Sequence, residues 1–147
     1  MKKKIIVIDD EPLISTLMKE IIEGEKDLEI AEIATQKEDF LNLLKQSDFD
    51  AALIDISVGG REEGLNLLEA VKTQGLPAIV ISAHDEVDYA YKCLAAGARG
   101  YLNKNCIFSD LVPALKMVLA GQLFVSGPHG PYILSEYSKT QKVEKSQ

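Results

Sequence analysis

Carboxylates follow apolar segments at two separate places in the sequence. Asp9 and Asp10 come after a β-branched run, and Asp55 comes after the apolar residues 51–54. Short apolar runs of this kind are typical of buried strands. A charge at the end of a buried strand is costly without a partner, so each carboxylate indicates a helix cap, a turn or a binding site. Carboxylates that share one site repel one another, and such a site would need a cation.

Two further polar side chains stand at comparable points. Ser82 closes the apolar run 78–82, and Lys104 follows a short apolar segment that ends near Leu102. Taken alone, the serine would be a turn hydroxyl and the lysine a surface residue. Around one carboxylate, however, a hydroxyl, an ammonium group and a divalent metal are the groups that phosphoryl transfer to that carboxylate requires. Mg²⁺ suits this site, because it takes one or two carboxylates and keeps several waters.

The elements that must position these residues alternate between strands and helices along the chain. Near-continuous apolar strands separated by helices predict a doubly wound α/β fold, with a parallel sheet covered by helices on both faces. The strand order 2-1-3-4-5 is one of the two common solutions, and it gathers the strand-end residues at one edge. The five predicted strands cover residues 4–8, 28–34, 51–55, 78–82 and 99–102.

Composition limits the classes of function. The 147 residues are 46% hydrophobic, which suits one domain with an aliphatic core. The net charge of −7 disfavours direct binding to nucleic acid or to an anionic membrane. The basic start is followed by too short an apolar run for export, and no segment has the length of a membrane span. We therefore expect a cytoplasmic protein in which Cys93 and Cys106 are reduced.

The end of the chain differs from the rest. We expect residues 1–121 to form the domain and residues 122–147 to form a C-terminal extension. Glycine and proline interrupt residues 127–131, and the last ten residues have almost no apolar content. The extension is therefore predicted to be extended or disordered beyond about Leu134.

With these motifs in this order, the chain resembles the receiver domain of bacterial two-component response regulators. The resemblance covers residue 4 to about residue 121 and implies a flavodoxin-like fold. Its motifs are IIVIDDE (5–11), ALIDI (52–56), IVISA (79–83) and AAGARGYLNK (95–104).

The resemblance implies a metal site and a phosphoryl acceptor. Asp55 would accept the phosphoryl group. Mg²⁺ would be held by Asp9, Asp10 and Asp55 together with the backbone carbonyl of Ser57. Ser57 and His84 flank this site and are expected to influence the lifetime of the phosphoryl group.

The resemblance also implies a switch. Ser82 would contact the phosphoryl group, and Lys104 would take the role of the family's lysine. Tyr101 resembles the switch aromatic, which turns inward when Ser82 moves.

The partners that the resemblance implies are a sensor histidine kinase or a histidine phosphotransfer protein as donor, and a downstream protein target. Enzymatic activity would be limited to self-phosphorylation from small donors and slow self-dephosphorylation. Residues 121–126 resemble receivers that precede a helix-turn-helix output domain. The tail shows no helix-turn-helix pattern, so a single-domain regulator is favoured over a truncated DNA-binding regulator. Homodimer formation is left open.

The chain departs from the family's pattern in two places. Gly59 and Gly60 stand where the loop after Asp55 usually has a proline, and Asn105 stands where a proline usually follows the lysine. A cis bond before a residue other than proline costs about 3 kcal/mol. We expect the Lys104–Asn105 bond to be trans, or cis only if its surroundings hold it.

Three other functions compete. A phosphatase with an aspartate nucleophile would need an acid where Ser57 stands. A flavin protein would need a phosphate-binding loop after the first strand, and none is present. An interaction module that works without phosphorylation is compatible with the altered loop.

Overall fold

The computed structural model describes residues 1–83, 87–128 and 130–146. Within these residues it shows one parallel sheet with helices on both faces. The strands are β1 (Lys3–Ile8), β2 (Leu28–Ala34), β3 (Ala51–Asp55), β4 (Ala78–Ser82), β5 (Gly100–Asn103) and β6 (Phe124–Val125). The helices are α1 (Pro12–Glu23), α2 (Lys37–Gln46), α3 (Arg61–Thr73), α4 (Val87–Ala95), α5 (Ile107–Leu119) and α6 (Gly130–Ser146), and a 3₁₀ turn spans Lys104–Cys106.

The sheet has the strand order β2-β1-β3-β4-β5-β6, and every pair is parallel. The predicted flavodoxin-like order is therefore confirmed, with one strand more than predicted. Strand β6 is two residues long and pairs Phe124 with Gly100 and Val125 with Tyr101. A segment this short between glycines gives no alternation that would predict a strand.

Two hydrophobic clusters lie on opposite faces of the sheet. Along β1, Ile5 and Val7 pack with α1 and α5, whereas Ile6 and Ile8 pack with the helices of the other face. All four side chains are fully buried. Because both faces of the strand are covered, β1 reads as a continuous apolar run.

The C-terminal extension is ordered against the domain, so the prediction of an extended or disordered tail is wrong for α6. Ile133 is 4% exposed and belongs to the cluster that includes α4. The hydroxyl of Tyr91 in α4 donates to Thr140 Oγ1 at 2.6 Å. The rings of Tyr91 and Tyr137 meet edge to face with their centroids 6.3 Å apart. Few apolar residues suffice, because Ile133 and Tyr137 are one helical turn apart and α4 offers a partner.

Two smaller observations concern expectations from composition. Among the described residues, no helix combines the length and the apolar character that crossing a membrane requires. Both cysteines are free thiols: Cys93 is buried in the core, and Cys106 is partly exposed.

Candidate functional site

The carboxyl ends of four neighbouring strands meet at one edge of the sheet. Asp9 follows β1, and its backbone N–H donates to Ala34 of β2 at 2.9 Å. Asp55 and Ser82 are the last residues of β3 and β4, and Lys104 begins the turn after β5. The parallel register thus brings the predicted site residues to the same edge.

Four acidic residues form a cluster there. The side chains of Asp9 and Asp55 are both 1% exposed, whereas those of Asp10 and Glu11 are exposed. Each of the four offers a carboxylate oxygen, and these oxygens all lie within 4.8 Å of one another. Asp9, Asp10 and Asp55 are together as predicted, and Glu11 is an addition that the sequence did not single out.

Asp9 is held by two hydrogen bonds from the start of α1. The Ser15 hydroxyl donates to Oδ2 at 2.8 Å, and the Glu11 backbone N–H donates to Oδ1 at 3.0 Å. Ser15 was missed in the sequence, although a signal for it exists. It lies on the same buried stripe of α1 as Met18 and Ile22, where a polar side chain needs a partner.

The raised pKa of Asp9 shows that the charged form of this carboxylate is disfavoured in the site. Burial, followed by the contact with Asp55, raises the pKa from 3.8 to about 6. The hydrogen bonds from Glu11 and Ser15 act in the opposite direction and do not cancel the rise. A cation placed among these oxygens would remove much of this cost.

The two oxygens of Asp55 have different surroundings. Oδ1 accepts the backbone N–H of Ser57 at 2.9 Å and the Ser57 hydroxyl at 2.8 Å. Oδ2 lies 3.0 Å from Nζ of Lys104. Burial raises the pKa of Asp55, but the contacts with Asp9, Ser57 and Lys104 outweigh burial and hold it below 3.8. Asp55 is therefore ionised at neutral pH.

Lys104 joins two segments of the site. Its ammonium group contacts both Asp55 and Glu11, and only 11% of its side chain is exposed. Burial lowers the pKa of this lysine, but the two carboxylates outweigh burial and raise it above 10.5. No cis peptide bond occurs in the described chain, so the Lys104–Asn105 bond is trans, as expected.

Ser82 lies at the end of β4 beside the acidic cluster, and Tyr101 lies on the neighbouring strand β5. Ser82 is 2% exposed and pairs in register with Asn103. Tyr101 is 3% exposed and meets Tyr89 edge to face, with the ring centroids 6.5 Å apart. The aromatic side chain is therefore already inside the core. His84, also singled out in the sequence, lies outside the described residues.

The donor set fits Mg²⁺. The oxygens of the cluster are hard ligands, two of the carboxylates are buried, and two are open to water. Mg²⁺ prefers such sites, since it retains part of its hydration shell.

The similarity of the chain to known proteins agrees with the geometry of the site. The family description "Response regulator receiver domain" matches residues 5–116. The chain belongs to the response regulator receiver domain family. Receiver domains work in two-component signalling, bind Mg²⁺ at an acidic pocket and are generally not enzymes, and their partners are typically kinases. The family predicted from the four motifs is thus confirmed.

Curated relatives of this receiver are longer than the chain. Response regulator GacA of Pseudomonas aeruginosa is 28% identical over 126 residues, which cover 84% of this chain and 58% of GacA. The nitrate/nitrite response regulator protein NarL of Escherichia coli is 30% identical over 124 residues, covering 83% and 57%. The chain thus spans about three fifths of the length of these relatives.

Solved structures show the same fold. A two-component response regulator of the LuxR family from Aurantimonas sp. SI85-9A1 has a TM-score of 0.76 and 22% identity, with 96% of this chain and 99% of the other covered. The non-phosphorylated receiver domain of RcsB from Escherichia coli has a TM-score of 0.78 and 20% identity, with 86% and 100% covered.

Proposed function

We propose that this receiver accepts a phosphoryl group on Asp55 from the phosphohistidine of a sensor histidine kinase or a histidine phosphotransfer protein. The observation that carries the proposal is the buried Asp55 carboxylate, which has Lys104 on one side and the Asp9 carboxylate on the other. Such a carboxylate is ionised, Lys104 can offset the negative charge of an incoming phosphoryl group, and Asp9 can hold a cation that does the same.

The hydrogen bonds of Asp55 favour one oxygen as the acceptor. Oδ1 already accepts two hydrogen bonds from Ser57, whereas Oδ2 faces the Lys104 ammonium group. In the transfer, Oδ2 forms a bond to phosphorus while the donor's nitrogen–phosphorus bond breaks. The electron pair of the broken bond stays on the imidazole nitrogen, which can take a proton from water. Asp55 itself needs no deprotonation, because its lowered pKa keeps it ionised.

Asp9, Asp10 and Asp55, with the backbone carbonyl of Ser57, would hold Mg²⁺ beside the acceptor. When bound, the metal supplies positive charge that offsets the charge of the phosphoryl oxygens. Asp9 would hold it in ionised form, because a nearby dication would lower the pKa that burial has raised.

Lys104 and Ser82 serve the phosphoryl group itself. Lys104 exchanges part of its contact with Asp55 for the new phosphoryl oxygens, and the Ser82 hydroxyl donates to one of them. Movement of Ser82 changes the packing of Tyr101 on the adjacent strand. The contacts of α4, β5 and α5 then change, and the outer surface that they form with β6 and α6 is where a downstream protein would respond.

The wider setting is proposed from the family. The protein would work in the cytoplasm as a phosphoprotein, with at most slow self-phosphorylation and self-dephosphorylation as its own chemistry. A structure of RcsB is described as dimers bound to DNA, and a homodimer of this chain stays a prediction. A role in transcription is a less favoured alternative.

Intact-mass spectrometry tests the proposal. The protein is incubated with acetyl phosphate and Mg²⁺, and we expect one added phosphoryl group in the wild type and none in Asp55→Asn. Asp48→Asn, which makes the same change at an exposed loop position, is expected to react like the wild type. Absence of addition to the wild type, or addition that survives Asp55→Asn, would reject the proposal.

A second candidate is an interaction module that works without phosphorylation. It is favoured by the contacts of Asp55 with Ser57 and Lys104 and by the contact between Lys104 and Glu11, because these charges already have partners without a phosphoryl group. If Asp55→Ala binds the downstream partner with the same affinity as the wild type, this candidate is favoured.

A further inference from the structure

The proposed chemistry depends on where the Lys104 ammonium group lies. Lys104 is the first residue of a 3₁₀ turn that follows β5 directly. Its long side chain reaches Asp55 Oδ2 at 3.0 Å. A small rotation of the backbone at residues 103–104 would therefore move the ammonium group by a much larger distance at the end of the side chain.

Asn103 controls that backbone position by two hydrogen bonds. Its side-chain oxygen accepts the backbone N–H of Asn105 at 2.8 Å and so caps the 3₁₀ turn. Its own backbone N–H donates to the Ser126 hydroxyl at 2.6 Å. Asn103 is 7% exposed and Ser126 is 5% exposed, so water competes little for either group.

The Ser126 hydroxyl stands where the ladder between β5 and β6 runs out. Phe124 N–H donates to Arg99 at 3.1 Å, and Ser126 N–H donates to Tyr101 at 2.9 Å. In a continuing parallel ladder, the next bond would run from Asn103 N–H to a backbone carbonyl. Here the hydroxyl takes the place of that carbonyl. The last strand residue before Lys104 is thus held by a side chain from the C-terminal extension.

We propose that Asn103 and Ser126 are positioning residues for Lys104, so that the segment after β6 is part of the phosphoryl-transfer site. Neither residue touches the carboxylates in the contacts described above. They act through the backbone that carries the lysine. The proposal rests on the proposed function only in those experiments that measure phosphoryl transfer.

A first experiment needs no phosphorylation. The protein is treated briefly with acetic anhydride, and the acetylation rate of Lys104 is measured by peptide mass spectrometry relative to the exposed Lys45. Loosening of the turn should make Lys104 about three- to tenfold more reactive in Ser126→Ala and in Asn103→Ala. Ser126→Thr retains the hydroxyl and is expected to restore the wild-type rate. Ser135→Ala, the same change at an exposed position of α6, should have no effect.

A second experiment measures the initial rate of phosphorylation by acetyl phosphate at saturating Mg²⁺. Ser126→Ala should lower this rate by about three- to tenfold, and the Mg²⁺ concentration that gives half of the thermal stabilisation should stay within about twofold. A lower phosphorylation rate with an unchanged Mg²⁺ requirement is expected for displacement of the lysine and not for general damage to the fold. Circular dichroism confirms that the variants compared are folded.

The outcomes separate the two proposals. Unchanged Lys104 reactivity in both Ser126→Ala and Asn103→Ala would overturn the positioning role, even if phosphorylation were slower. Increased Lys104 reactivity with no phosphorylation of the wild type would support the positioning role and reject the proposed function.

Discussion

Nζ of Lys104 lies 3.0 Å from Oδ2 of Asp55, and both side chains are almost entirely buried. The same ammonium group contacts Glu11, so one lysine links the loop after β1 to the end of β3. The lysine therefore offsets part of the charge of the acidic cluster before any metal or phosphoryl group arrives.

The first prediction concerns this lysine. Lys104→Met retains much of the length of the side chain and removes its charge, so phosphoryl transfer from acetyl phosphate should slow by about 10- to 100-fold. The initial rate is measured by intact-mass spectrometry at saturating Mg²⁺. Lys45→Met, at an exposed position of α2, serves as the matched control. A rate for Lys104→Met within twofold of the wild type would contradict the role of the lysine.

The second prediction concerns the pKa of Asp9. Its folded-state value of about 6 lies above the ordinary 3.8, so the folded protein binds the proton more tightly than the unfolded chain. The carboxyl group therefore lowers stability increasingly as pH rises from about 4 to 6. Asp9→Asn keeps the shape of the side chain without the charge, and it should raise the free energy of unfolding of the metal-free protein by about 1–2 kcal/mol at pH 7.

Urea unfolding at pH 7 and at pH 4 measures whether Asp9→Asn raises the free energy of unfolding as predicted. The gain from Asp9→Asn should be largest at pH 7 and should shrink towards zero near pH 4, where the wild-type carboxyl group is protonated in the folded state. Asp48→Asn, at an exposed position, should change stability by no more than about 0.5 kcal/mol at either pH. Loss of stability in Asp9→Asn at pH 7 would show that burial and the contact with Asp55 do not destabilise the charged carboxylate.

The third prediction concerns Mg²⁺. Binding to the folded state alone stabilises a protein by mass action, by about 2.7 kcal/mol at one hundred times the dissociation constant. Each kcal/mol should raise the melting temperature by about 2–4 °C in a domain of this size. Thermal unfolding with and without Mg²⁺ at constant ionic strength measures the shift, and chelation should reverse it. An equal shift in Asp9→Asn would place the ion elsewhere.

The fourth prediction concerns α6. Ile133 is 4% exposed and packs into the cluster that includes α4, so Ile133→Ala should lower the free energy of unfolding by about 2–4 kcal/mol. Tyr132→Ala removes a larger side chain that is 60% exposed, and its effect should be much smaller. Urea unfolding compares the two. Equal effects would mean that α6 does not pack on the domain in solution.

Much of the site could be predicted because its signals are local. The predicted bounds of β3 and β4 match the structure, and their last residues, Asp55 and Ser82, lie at the predicted edge. An apolar run bounded by polar residues defines both the strand and its end. In a parallel sheet, strand ends and strand order together determine which residues can meet.

The missed features depend on contacts distant in sequence. Ser126 acts because a two-residue strand aligns its hydroxyl with Asn103, and nothing in residues 122–130 indicates that pairing. The Glu11–Lys104 contact likewise depends on how the loop after β1 faces the turn after β5. The order of α6 depends on a partner surface on α4, which local composition does not describe.

The two edge strands of the sheet, β6 and β2, disfavour pairing with a further strand for different reasons. On one side β6 offers only two residues for pairing. On the other, β2 carries Glu29 and Glu32, and its register with β1 shifts between Ile5 and Ile6, which bends the ladder. Charged and irregular borders of this kind discourage intermolecular β-pairing. We therefore expect that any association between copies of the chain uses helical surfaces and does not lengthen the sheet.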